Sequence, residues 1–167
     1  MMDKETAMLM DIIKNGKQDC QLTAFILLLE KAENEVEWSY DIWDSLRDSL
    51  TSSDSYKRAA ASQMLAYLSI SDPDQKILQD FPHIWKETYH SNQVVAESVL
   101  EATWRIGLAG EIQRATLLRT YEERLSEDRY LKNKDAWATK IIIKNLELLS
   151  EHVKEKPIQV LLKKVSE

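Results

Sequence analysis

Hydrophobic positions along this chain recur at intervals of three and four residues, the spacing of helices that bury one side, and they rarely alternate as strand residues would. The first such segment covers Asp3–Asn15, with Met8, Leu9, Ile12 and Ile13 on one face and Gly16 placed to end it. A second, Gln18–Glu33, is strongly apolar through Leu29. A third, Glu35–Leu50, repeats Trp38, Ile42, Trp43, Leu46 and Leu50 at helical intervals. Further segments follow at Ser55–Ile70, Pro73–His90, Gln93–Ile106, Glu111–Ser126 and Ala136–Ser150, and Pro157 opens a last short one. The pattern predicts an all-α chain in a single domain over residues 1–167.

The polar breaks supply the helix caps. Asp54 stands where its carboxylate can accept from a free N–H of the following first turn. Ser71-Asp72-Pro73 predicts a second start, with proline at the first helical position, where its missing N–H costs nothing. Ser91 and Asn92 open the sixth segment, Gly107 and Gly110 bracket a turn, and a polar stretch over Ser126–Asp135 leads to the eighth. Pro82 lies inside the fifth segment, which is expected to kink or divide near Asp80 and Phe81.

Composition sharpens this picture. With three glycines and three prolines in 167 residues, the loops must be few and short. The lone cysteine, Cys20, excludes an internal disulfide and fits a reducing cytoplasm, where a thiol opening an apolar helix is expected to be buried and inert. The first residues carry acids and no continuous apolar core, so they do not read as a signal peptide. The longest apolar run, Ala24–Leu29, falls far short of the ~20 residues a membrane span needs. Net charge is −6, placed unevenly: 15 acidic against 8 basic residues up to Ile84, then 13 against 14. Nucleic-acid coating requires concentrated Lys and Arg, so this balance disfavours it, and solubility explains the acidity.

An internal echo links the segments. Ser55–Leu68 resembles the first helix of a HEAT repeat, in which a polar cap precedes Val-Arg-x-x-Ala-Ala-x-x-Leu-x-x-Leu. Tyr56, Ala60, Met64 and Tyr67 take the apolar positions, and Lys57 the basic one. Val95, Val99, Thr103 and Ile106 echo it 39 residues on, with Ala96 at the basic position. Ala138, Ile142, Leu146 and Leu149 follow 43 residues later, again without the base. The resemblance implies an α-α superhelix (a HEAT/ARM-like solenoid) of about four helix pairs with an N-terminal capping helix, presenting a concave binding face. A plain helical bundle is the rival architecture.

Candidate chemistry is sparse. Asp80, His83, Glu87 and His90 share one helical stripe, and His with carboxylates can hold a metal. A solvated polar face is the default, and His83, Glu87 and His90 stand only as weak ligand candidates. The chain has no His-Glu dipeptide of the kind that HEAT-like diiron hydroxylases use. HEAT-like alkylbase DNA glycosylases offer the alternative, since Trp38, Trp43, Trp85, Trp104 and Trp137 could stack on bases; core spacing explains several of them as packing. No Gly-rich phosphate loop or nucleophile–base set is present, and no cofactor is implied. Arg105, Arg114, Arg119, Arg124 and Arg129 dot the sixth and seventh segments, either as a binding patch or paired with interleaved acids, notably Glu123.

The expected function is therefore non-catalytic: a protein-interaction module, acting as adaptor, scaffold or small inhibitor. Its partner would bind a concave face built from the second helix of each pair, around Trp43, Trp85, Lys86, Arg114 and Arg119. Aromatic and Arg anchors are the types that most often carry interface energy.

Overall fold

The computed structural model describes residues 1–130 and 136–166; the side chain of Arg129 and the 131–135 portion of the expected polar connection lie outside the described residues. Among the described residues there are nine α-helices and no strand. They are α1 (Lys4–Asn15), α2 (Gln18–Ala32), α3 (Ser39–Ser49), α4 (Ser55–Leu68), α5 (Ile77–Lys86), α6 (Gln93–Ala102), α7 (Glu111–Tyr130), α8 (Trp137–His152) and α9 (Lys156–Ser166). The all-α expectation holds.

Packing follows an order. Helix α1 lies on α2, and the even-numbered helices contact one another in sequence, α2 on α4, α4 on α6, α6 on α8. Helices α3 and α5 pack against α4, while α7 and α9 pack against α8 and against each other. Central α4 is enclosed nearly all round, with Ala59, Ala61, Ser62, Met64, Leu65, Ala66 and Leu68 buried. Small residues on that helix let its neighbours approach, and burying Leu- and Met-sized side chains contributes ~1.5–3 kcal/mol apiece.

Local chemistry explains the boundaries. Asp3 caps α1 by accepting from Thr6 N–H, Asp54 caps α4 by accepting from Tyr56 and Lys57, and Asn92, rather than Ser91, caps α6 by accepting from Val94. Three α-helices tighten into 3-10 turns at their C-termini, over Ser69–Ser71, Glu87–Tyr89 and Thr103–Leu108. At each junction a buried hydroxyl donates to the carbonyl three residues back: Ser69 to Ala66, Thr88 to Trp85, Thr103 to Leu100. These bonds satisfy carbonyls that a helix end leaves open.

The fifth segment departs from expectation. Its helix begins at Ile77, not Pro73, which sits exposed in the preceding turn. The Asp72 carboxylate accepts from Lys76 N–H at 3.0 Å and Ile77 N–H at 2.8 Å, and also from the Tyr40 hydroxyl. Gln75, in the left-handed region at φ 57°, lets the chain turn before the helix starts. Pro82 does not divide α5, because only one backbone bond is forfeited while Ile77, Phe81 and Ile84 hold the helix to the core. Helix α7 runs on to Tyr130, beyond the expected stop at Ser126. Gly107 sits close under Leu149: a Cβ there would lie 2.9 Å from a Leu149 methyl, which would have to shift.

Candidate interaction surface

The stripe that suggested a metal is dismantled by the fold. Asp80 is buried, accepting from Trp43 Nε1 at 2.9 Å and from Arg47 Nε and Nη2 at 2.8 and 3.0 Å. Glu87 is buried in α5's terminal turn and takes Arg58 Nε at 2.7 Å. His83 is exposed, and His90 stacks near Tyr56 with its Nδ1 accepting from Asn92 N–H. The two carboxylates thus tie this segment to its neighbours, Asp80 to α3 and Glu87 to α4. Among the described residues no group of three or more His, Cys, Asp or Glu side chains could hold a metal. Cys20 is exposed rather than buried, because α2 turns Ala24, Leu28 and Ala32 inward instead.

The tryptophans are core or half-core. Trp38, Trp43 and Trp104 are buried, and Trp85 and Trp137 are half-buried against the core. Trp43 has no exposed surface at all, so it cannot anchor a partner; the helical spacing that made it conspicuous is what buries it. Trp85 lies 6.0 Å, centroid to centroid, from both Phe81 and Tyr121, on the packing side of α5. Lys86 is exposed at the end of the same helix.

The arginines divide into structural and available ones. Arg105 lies over the rings of Tyr67 and Trp104 and reaches Glu33 at 3.4 Å. Arg124 is buried, its guanidinium 3.8 Å from the Tyr89 ring centre and 3.9 Å from Asp128. Arg114 forks onto Glu155 at 2.7 and 2.9 Å and donates to Gly107 O at 2.8 Å, joining α7 to the start of α9. Arg119 is exposed and has no hydrogen bond or ion pair among the described residues. Among the described residues Glu123, the expected acid partner, pairs with neither neighbour; Asp128 one turn on in α7 takes Arg124, whereas Arg105 and Arg114 find their acids on other elements, which spacing within one helix could not show.

Two of the five predicted contact residues meet. Arg114 and Arg119 line an open groove between α7 and α9 with a volume of about 430 Å³. Ala115, Leu118, Pro157, Val160 and Leu161 supply its apolar surface, and Glu111, Glu122, Glu155 and Lys164 its charged rim. Lys164 Nζ meets Glu122 Oε1 at 2.5 Å across the groove. A smaller depression lined by Leu125, Ser126 and Val165 continues it along α7. Trp43, Trp85 and Lys86 do not line it. Leu161 belongs to the apolar spacing of the last short segment and Val160 to none, and that either would face α7 depends on tertiary packing.

A buried polar node joins α7 to α6 and α8. Tyr121 OH lies 2.6 Å from Thr103 Oγ1, and Asn145 Nδ2 donates to Tyr121 OH and to Leu100 O at 2.9 and 2.8 Å. Burial drives the Tyr121 phenol well above its ordinary range. Burial and the hydrogen bond to Asp72 push Tyr40 up to about 12. Both groups are locked neutral and structural; neither is poised to transfer a proton near pH 7.

No helix among the described residues is long and apolar enough to cross a membrane. Comparison with known protein families, with curated proteins and with solved structures finds no match for this chain.

Proposed function

We propose that this chain is a HEAT-like stack of helix pairs that works by binding a protein partner, not by catalysis, and that contact centres on the second helices α7 and α9. One observation carries the site: the groove between those helices, which holds Arg119, without a partner among the described residues, beside exposed Val160. A second supports the architecture. Helix α2 packs on α4, α4 on α6 and α6 on α8, and several polar bonds between elements, among them Trp43 to Asp80 and Arg114 to Glu155, span 36 to 45 residues, about one helix pair, beside shorter and longer ones. Contact of each unit with the next is what stacked helix pairs produce.

The test is affinity capture from the source cell with the full chain and with Arg119→Glu/Val160→Glu, both verified as folded by circular dichroism. A partner retained by the first bait and lost by the second supports the reading. A partner indifferent to the double variant moves the contact elsewhere, and binding to duplex DNA at ~50 mM salt would replace the protein-partner reading with nucleic-acid handling.

A further inference from the structure

The charges around the α7–α9 groove are almost all accounted for. Arg114 is closed by Glu155 and two backbone carbonyls, and Lys164 by Glu122. Among the described residues, that leaves two ionised lining groups with no ion pair: Arg119, and Glu111 eight residues earlier in the first turn of α7. At the helical rise of ~1.5 Å per residue they stand ~12 Å apart along the axis. Between and opposite them lies apolar surface, with Val160 55% exposed on the α9 wall.

An exposed arginine alone gains little from a carboxylate in water. A carboxylate delivered beside a buried apolar group is different, because the apolar contact excludes water and fixes the fork geometry that guanidinium favours. Phosphate-rich ligands fit poorly: of the three bases lining the groove Arg114 and Lys164 are already ion-paired, and Glu111 stands unpaired at the far end, so the groove offers one arginine to a single carboxylate rather than a cluster to several charges.

We propose that the groove takes a short peptide segment of a partner protein in which an acidic side chain lies within one helical turn of a leucine-sized apolar side chain. Arg119 holds the carboxylate, and the apolar side chain seats on Val160, Leu118 and Leu161. This rests on the interaction reading above and gives its partner a chemistry.

The probe is a phage-displayed library of random 12-residue peptides, selected on the full chain and counter-selected on Arg119→Gln. Enriched peptides are then synthesised, and each is paired with a version in which the acid is replaced by its amide. The expected result is enrichment of Asp or Glu within four residues of Leu, Ile, Met or Phe. Affinity should drop at least about tenfold both for the amide peptide and for Arg119→Gln, and be lost in Val160→Glu. Enriched peptides that need Val160 but ignore both the acid and Arg119 would overturn this inference while leaving the groove as the contact site. Peptides indifferent to Val160→Glu as well, or no enrichment over bare support, would overturn the inference together with the site assigned under the interaction reading. Self-association that saturates the groove, seen as sedimentation that changes with concentration in the parent and not in Val160→Glu, would also overturn it by making a second copy the occupant.

Discussion

Replacing Asp80 tests how the fifth helix is held to the third. In the folded chain its carboxylate serves three donors: the Trp43 indole, which has no contact with solvent, and two nitrogens of Arg47, whose side chain is 32% exposed. In Asp80→Ala the indole N–H is stranded where water cannot reach it, a loss of about 2 kcal/mol. Arg47 can swing outward to solvent and toward Asp44, already 3.9 Å away, so its share is only about 1 kcal/mol. The sum is a destabilisation of about 3 kcal/mol. Asp80→Asn keeps an acceptor for the indole and loses the charge, and should cost about half as much. Urea denaturation followed by circular dichroism and tryptophan fluorescence reads both, with the slope against denaturant unchanged. A double-mutant cycle with Trp43→Phe isolates the indole bond, and its coupling should be about 1–2 kcal/mol. An Asp80→Ala cost below about 1 kcal/mol, or Asn and Ala behaving alike, would refute the reasoning. Neither variant should alter the binding of added zinc, since Asp80 is not part of a ligand set.

Arg114 and Arg119 are five residues apart and should behave oppositely: Arg114→Ala should lose about 1–2 kcal/mol, mostly by leaving buried Gly107 O without its donor while Glu155, 36% exposed, turns to solvent, whereas Arg119→Ala should stay within about 0.5 kcal/mol of the parent by the same denaturation assay. Tyr121 and Tyr40 keep their protons in the folded chain after the unfolded chain, near pKa 10, has released them. Their contribution is intact below pH 10 and is lost as pH rises through about 12 and beyond, so urea midpoints should fall steeply above pH 10, less so in Tyr121→Phe, and a flat profile would contradict the shift. Cys20, being exposed, should react with a thiol reagent at the rate of a free peptide thiol without denaturant; protection until unfolding would contradict its placement.

Sequence determined the helices because their determinants are local. The 3.6-residue recurrence of apolar positions, the caps at Asp54 and Asn92 and the scarcity of glycine and proline act within a turn or two, and they located most of the helices to within a few residues. Where two local signals competed the pattern misled. Pro73 favoured an early start to α5, but the Asp72 carboxylate captured Lys76 and Ile77 instead, and Cys20 looked buried on a helix whose inward face was set by α1 and α4. The candidate site depended on non-local partners. Whether these arginines are free or spent is decided by residues about 40 to 70 positions away, so Arg114 was claimed by Glu155, Arg105 by Tyr67 and Glu33, and Arg119 by none among the described residues. Burial removed Trp43 from the surface and handed Asp80 to the core for the same reason. Residue type and spacing are properties of one helix; exposure and pairing belong to the helices packed against it.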